Sequence, residues 1–180
     1  MFTLVTGGSG SGKSEFAENL SVSYKSKNLV YIATMFPYDD ESFKKIERHK
    51  KMREKKNFKT IECFKDLKKV IVPENSTVLL DCMSNLVANE MYLEGGVGNK
   101  TVEVIMNGVK KVKDQCENFI IVTNEVFSDG ISYDDETMKY IKYIGEINKE
   151  IGKEADNVIE VVYSIPVYHK GGSIQNVEFV

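Results

Sequence analysis

Short apolar runs alternate along the chain with longer stretches in which apolar positions recur every three or four residues. That alternation predicts strands and helices in turn. Residues 2–6 read as a buried strand, followed at once by glycines and then by Phe16, Ala17 and Leu20 at helical spacing. Residues 29–33 form a second apolar run. Residues 39–56 read as a charged helix with acids at its start, where they suit the positive end of the dipole, and with Phe43 and Ile46 on its inner face. A strand is expected over 59–62, a short helix over 66–71, and a buried strand over 77–80 that ends in Asp81. Residues 84–91 look helical. A loop follows at Gly95, Gly96 and Gly98, and then Val102, Ile105, Val109 and Val112 mark an amphipathic helix. Residues 119–123 make another strand, 133–155 a long helix with Met138, Ile141 and Ile151 on one side, and 158–162 a last strand; 171–180 read as a loosely held extension. Parallel strands need crossovers, so the pattern predicts an α/β fold, a mostly parallel sheet flanked by helices on both faces.

A length of 180 residues fits a single domain spanning 1–180, and a chain of this size removes roughly 70% of its unfolded surface from water. Hydrophobic content of 42% beside 28% charged residues argues against disorder or a fibrous repeat. The longest apolar runs, 119–122 and 158–162, fall far short of the roughly 20 residues that cross a bilayer. With no secretion-signal plan at the amino terminus, a cytoplasmic protein is expected. Cys63, Cys82 and Cys116 are odd in number and contain no CxxC pair, so they read as reduced apolar thiols. A net charge of −3 opposes bulk attraction to nucleic acid, yet 12 of the 24 Lys and Arg lie within residues 44–69.

The candidate chemistry begins with Gly7-Gly8-Ser9-Gly10-Ser11-Gly12-Lys13-Ser14, which satisfies the phosphate-loop pattern G-x-x-x-x-G-K-[ST] between a strand and a helix. Its glycines let backbone N–H groups and the helix amino terminus converge on phosphate oxygens. Lys13 is expected to reach the β and γ phosphates, and the Ser14 hydroxyl to bind Mg²⁺. Asp81, at a strand end, fits the second metal carboxylate, though strands also end in Asp for ordinary reasons. The guanine-reading NKxD motif is absent; Thr123, Asn124 and Glu125 emerge at the sheet edge, either as ligand contacts or as a cap. A strip of Lys45, His49 and Arg53 shares one helix face. It reads as a solvated basic face, or as a triphosphate grip around an imidazole that neighbouring charge keeps neutral and nucleophilic. His169, ahead of two glycines, reads as a surface residue without such company.

Together these residues resemble the bifunctional adenosylcobinamide kinase and adenosylcobinamide-phosphate guanylyltransferase family of cobalamin biosynthesis. The resemblance rests on Leu4-Val5-Thr6-Gly7-Gly8 with Ser11-Gly12-Lys13-Ser14, on Tyr31-Ile32-Ala33-Thr34, on Arg48-His49-Lys50 with Arg53, on Glu62, on Leu80-Asp81-Cys82, and on Val122-Thr123-Asn124-Glu125-Val126. It implies a RecA-like phosphate-loop NTPase core. It implies phosphorylation of adenosylcobinamide by ATP or GTP, then GMP transfer from GTP through a guanylyl-histidine. His49 and Lys13 take the catalytic places. The loop residues Gly7 to Ser14 take nucleotide-binding places, as do Ala33, Thr34, Met35, Lys50, Lys51, Met52, Arg53, Glu62 and Asp81, and Ser14 and Asp81 hold Mg²⁺. It also implies a homo-oligomer, possibly a trimer, and a histidine helix that moves. The chain departs from the family pattern at Gly10, after Arg53, where a common proline is missing, and over Phe127-Ser128-Asp129-Gly130, one residue longer than usual. Two other readings stay open: a kinase of another small hydroxyl compound with a structural His49, and a nucleotide-dependent regulator whose basic helix meets RNA or a partner.

Overall fold

The computed structural model describes residues 1–126, 130, 131 and 133–172, apart from the Met52 side chain. The departure expected at Phe127, Ser128 and Asp129, most of the 171–180 extension and the Met52 side chain therefore lie outside the described residues. The parallel strands are β1 (Phe2–Thr6), β2 (Asn28–Ala33), β3 (Lys59–Glu62), β4 (Ser76–Asp81), β5 (Asn118–Val122) and β6 (Asn157–Val162). With β7 (Ile165–Lys170) they form one sheet in the order β3-β2-β4-β5-β1-β6-β7. The helices are α1 (Lys13–Ser23), α2 (Asp40–Arg53), α3 (Met83–Tyr92), α4 (Thr101–Lys113) and α5 (Asp135–Glu154).

The expected α/β phosphate-loop architecture is present. Register is set by buried apolar side chains on both faces of the central strands: Leu4 of β1 stands between Ile121 of β5 and Val158 of β6. On one face Phe16, Ala17 and Leu20 of α1 pack with Val5, Leu79, Ile120 and Ile159. On the other, Leu86 and Val87 of α3, Ile105 and Val109 of α4 and Ile144 and Ile147 of α5 cover Leu4, Leu80 and Ile121. No helix among the described residues is long and apolar enough to cross a membrane.

Four expectations need correction. β6 is not the last strand: β7 returns antiparallel to it through a turn at Tyr163 and Ser164, both at positive φ (50 and 63). The helix expected over 66–71 is a single 3-10 turn, Leu67–Lys69, after which Val70 is already extended. The inner stripe of α5 is Ile144, Ile147 and Ile151, whereas Met138 is exposed; positions 138 and 151 are 13 apart and do not share a face at 3.6 residues per turn. Phe43 is exposed and Ile46 only half-buried, because α2 lies over a cavity instead of the core. α2 is nonetheless well started. The Asp39 carboxylate accepts from the Ser42 N–H at 2.8 Å while Ser42 Oγ accepts from the Asp39 N–H at 2.9 Å, a capping box that holds the Asp39 carboxyl below its ordinary pKa.

Candidate nucleotide site

The phosphate loop closes between β1 and α1. Gly7 is buried, and a Cβ there would lie 2.5 Å from the Val161 carbonyl oxygen, so the close passage of β6 demands glycine. Gly12 has φ 90, and a Cβ on it would lie 2.6 Å from Ser164 Oγ. The β6–β7 turn is seated in the notch this glycine leaves, and the Ser164 N–H donates to Ser11 O at 2.8 Å. No side chain caps α1, so its first N–H groups remain for an anion. Lys13 is buried, and its Nζ donates to Gly8 O at 2.9 Å. Burial lowers its pKa from the ordinary lysine value, and the Asp81 carboxylate opposes that shift.

Facing the loop, β4 delivers Asp81. Its Oδ2 accepts from the Tyr31 hydroxyl at 2.9 Å. Burial, then the Asp81 charge, pushes the Tyr31 phenol far above its usual pKa, so it remains a donor throughout the working range. The Arg53 guanidinium lies 3.5 Å from the centroid of the Tyr31 ring, a stacked cation–π contact that keeps this buried cation in place. Just beyond, Lys56 Nζ meets the fully buried Glu18 carboxylate of α1 at 2.9 Å. Burial raises the Glu18 pKa, and Lys56 opposes the rise. One turn back along α2, His49 Nδ1 stands 3.9 Å from Asp81 Oδ2 and makes no hydrogen bond. The third member of the expected strip, Lys45, borders the same cavity and is ion-paired with Glu41 at 2.7 Å.

Residues of the phosphate loop, α2 and the ends of β2, β3 and β4 border one cavity of about 860 Å³. Ser9, Gly10, Ser11, Gly12, Lys13 and Ser14 form one side; Ala33, Met35, Lys50, Arg53, Glu62, Asp81 and His49 form the other. Gly7, Gly8 and Lys51 stand back from it. Thr34 is committed elsewhere: its Oγ1 donates to Cys82 O and accepts from the Cys82 N–H, each at 2.8 Å. That pair locks the end of β2 to the end of β4. Asn124 also lines the cavity, with its backbone N–H bonded to Ser84 Oγ at 3.1 Å. The sequence reading missed Asn85, Ser164 and the rings Phe36 and Phe64 as lining groups. His169 is an exposed surface residue, as expected, and its Nε2 meets Glu160 at 2.8 Å across the β6–β7 pair.

A profile of the family described as cobinamide kinase / cobinamide phosphate guanyltransferase matches residues 3–168. The chain belongs to that family. Membership places it among the enzymes of cobalamin biosynthesis. The chain is similar, at 31% identity over 182 aligned positions, to the bifunctional adenosylcobalamin biosynthesis protein CobU of Escherichia coli (strain K12), with 93% of this chain and 98% of that protein covered. The protein of the same name from Salmonella typhimurium (strain LT2) is 30% identical over the same shares. Among solved structures, the flagellar accessory protein FlaH of Methanocaldococcus jannaschii superposes with a TM-score of 0.50 at 11% identity, covering 95% of this chain and 78% of that one. That likeness concerns the fold alone.

Proposed function

We propose that the chain phosphorylates the hydroxyl of adenosylcobinamide with a nucleoside triphosphate, and then transfers GMP from GTP to the new phosphate through a guanylyl group on His49. The observation that carries this reading is that the imidazole and the phosphate loop border the same cavity.

In the first step Lys13 exchanges the Gly8 carbonyl for β and γ oxygens and neutralises the charge that develops there. The acceptor hydroxyl oxygen bonds to the γ phosphorus, the bond to the bridging oxygen breaks, and a phosphate ester, a nucleoside diphosphate and a proton result. Among the described residues no three His, Cys, Asp or Glu groups gather round one point, so a cation here would share its shell with phosphates and water. The hard oxygens of Ser14 and Asp81 suit Mg²⁺ and would hold it, and the bound ion would neutralise phosphate charge.

In the second step a histidine nitrogen bonds to the α phosphorus and pyrophosphate leaves, splitting one displacement into two. With Nδ1 turned to Asp81, a proton kept on Nδ1 leaves the lone pair on Nε2, the nitrogen assigned here as nucleophile. An oxygen of the acceptor phosphate then takes the guanylyl group and frees the imidazole. Lys50, Arg53, Glu62, Ala33 and Met35 line the side where nucleotide contacts are expected. Mass spectrometry after exposure to GTP is expected to find a GMP adduct on the wild type and none on His49→Ala. An unmodified wild type that still phosphorylates adenosylcobinamide would overturn the guanylyl half.

A further inference from the structure

One stretch of the cavity wall is aromatic. Phe36 follows β2, Phe64 follows β3, Phe43 faces in from α2, and all three border the cavity. Phe36 stands edge-on to Phe64, with ring centroids 5.2 Å apart, and to Tyr38 at 4.9 Å, so these rings hold one another in orientation. None of the four belongs to the two apolar clusters that make up the described core. Instead the wall stays open: Phe43 is 54% and Tyr38 63% exposed. Rings that stabilise no core and border a ligand cavity are surface awaiting an apolar cover.

Position selects the occupant. Strands lie about 4.8 Å apart, and β2 and β3 stand three and four places from β1 in the sheet order. The aromatic wall is thus about 14 to 19 Å along the sheet edge from the phosphate loop, with Asp81 of β4 between them. A base tethered to loop-bound phosphates presents one flat face. This wall instead continues outward through Phe43 and Tyr38, beyond any surface a single base covers. Its own rings carry no charge, unlike the Lys50 and Arg53 side chains.

We infer that Phe36, Phe43 and Phe64 seat the broad ring system of the acceptor, so that its hydroxyl arm reaches inward past Asp81 toward the transferable phosphate. This rests on the corrinoid reading of the acceptor given above. Phe43→Ser tests it with little risk to folding, because that ring is exposed; Phe36→Leu tests it while preserving bulk. In kinase assays each variant is expected to raise the acceptor KM about tenfold, as loss of part of one buried aromatic contact would, with nucleotide Kd within about twofold of wild type by calorimetry. An unchanged acceptor KM overturns the inference, and so does a parallel fall in nucleotide affinity, which would make the wall a base platform. Equilibrium dialysis of adenosylcobinamide without nucleotide separates this failure from failure of the functional reading. Wild type that binds the corrinoid about tenfold more tightly than Phe43→Ser supports the wall even if turnover is absent, whereas equal binding removes it even if turnover is normal.

Discussion

α1 and α2 bring charged groups to the same cavity but are held there in opposite ways. α1 lays Phe16, Ala17 and Leu20 against the sheet with almost no exposure, so apolar burial fixes Lys13 and Ser14. Among the described side chains of α2 only Arg53 is buried. Its grip consists of that guanidinium on Tyr31 and, in the turn that follows, Lys56 on Glu18. A helix held by burial keeps its place whatever the ligand; one held at a single end by directional polar contacts opens at lower free energy than the core. The loop half of the site is thus built into the core, and His49 sits on an element attached at its carboxyl end.

The largest test of this contrast is Lys13→Ala. Both reactions are expected to fall about a thousandfold or more in initial rate, because both need the same phosphates neutralised, while thermal stability changes little. A variant that keeps either rate would separate the two chemistries onto different sites. A smaller effect, on stability, is expected from Lys56→Met, which leaves the Glu18 carboxylate buried without its cation. Chemical denaturation should show a loss of about 3 kcal/mol, and Glu18→Gln added to it should restore most of that loss, the signature of direct coupling. If the two changes simply add, the attachment of α2 to α1 does not run through this pair.

The smallest effect concerns pH. Because burial raises the folded Glu18 pKa above its unfolded value, the folded state binds the extra proton. The associated stability is full below the unfolded pKa near 4.5 and is lost as pH rises through the folded pKa. Acidification from neutrality toward that value should therefore stabilise wild type relative to Glu18→Gln in denaturation midpoints. The opposite trend would mean that Lys56 outweighs burial.

The phosphate loop, Asp81 and the six parallel strands could be read from the chain because each is a local signal: a fixed spacing, or a run of apolar residues. β7 could not. Pro166 demotes a strand pattern, and the Tyr163–Ser164 turn lacks the Asn-Gly or Asp-Gly signature of tight hairpins. Phe43 and Ile46 were assigned correctly to one helix face but wrongly to the core, since periodicity reveals a stripe without revealing whether protein or ligand will cover it. Arg53 was visible as a cation and Tyr31 as a strand residue, yet nothing local joins two positions 22 apart in sequence. Thr34 shows the converse: a resemblance marked it for the nucleotide, while its hydroxyl is spent on Cys82.

The turn between β6 and β7 acts as a doorstop for the phosphate loop. With Ser164 wedged against Gly12 and bonded to Ser11 O, the loop cannot tilt toward β6 without lifting the whole hairpin. Any adjustment of the loop would therefore travel away from that edge, toward Asp81 and α2, so this border biases the direction in which the cavity can give.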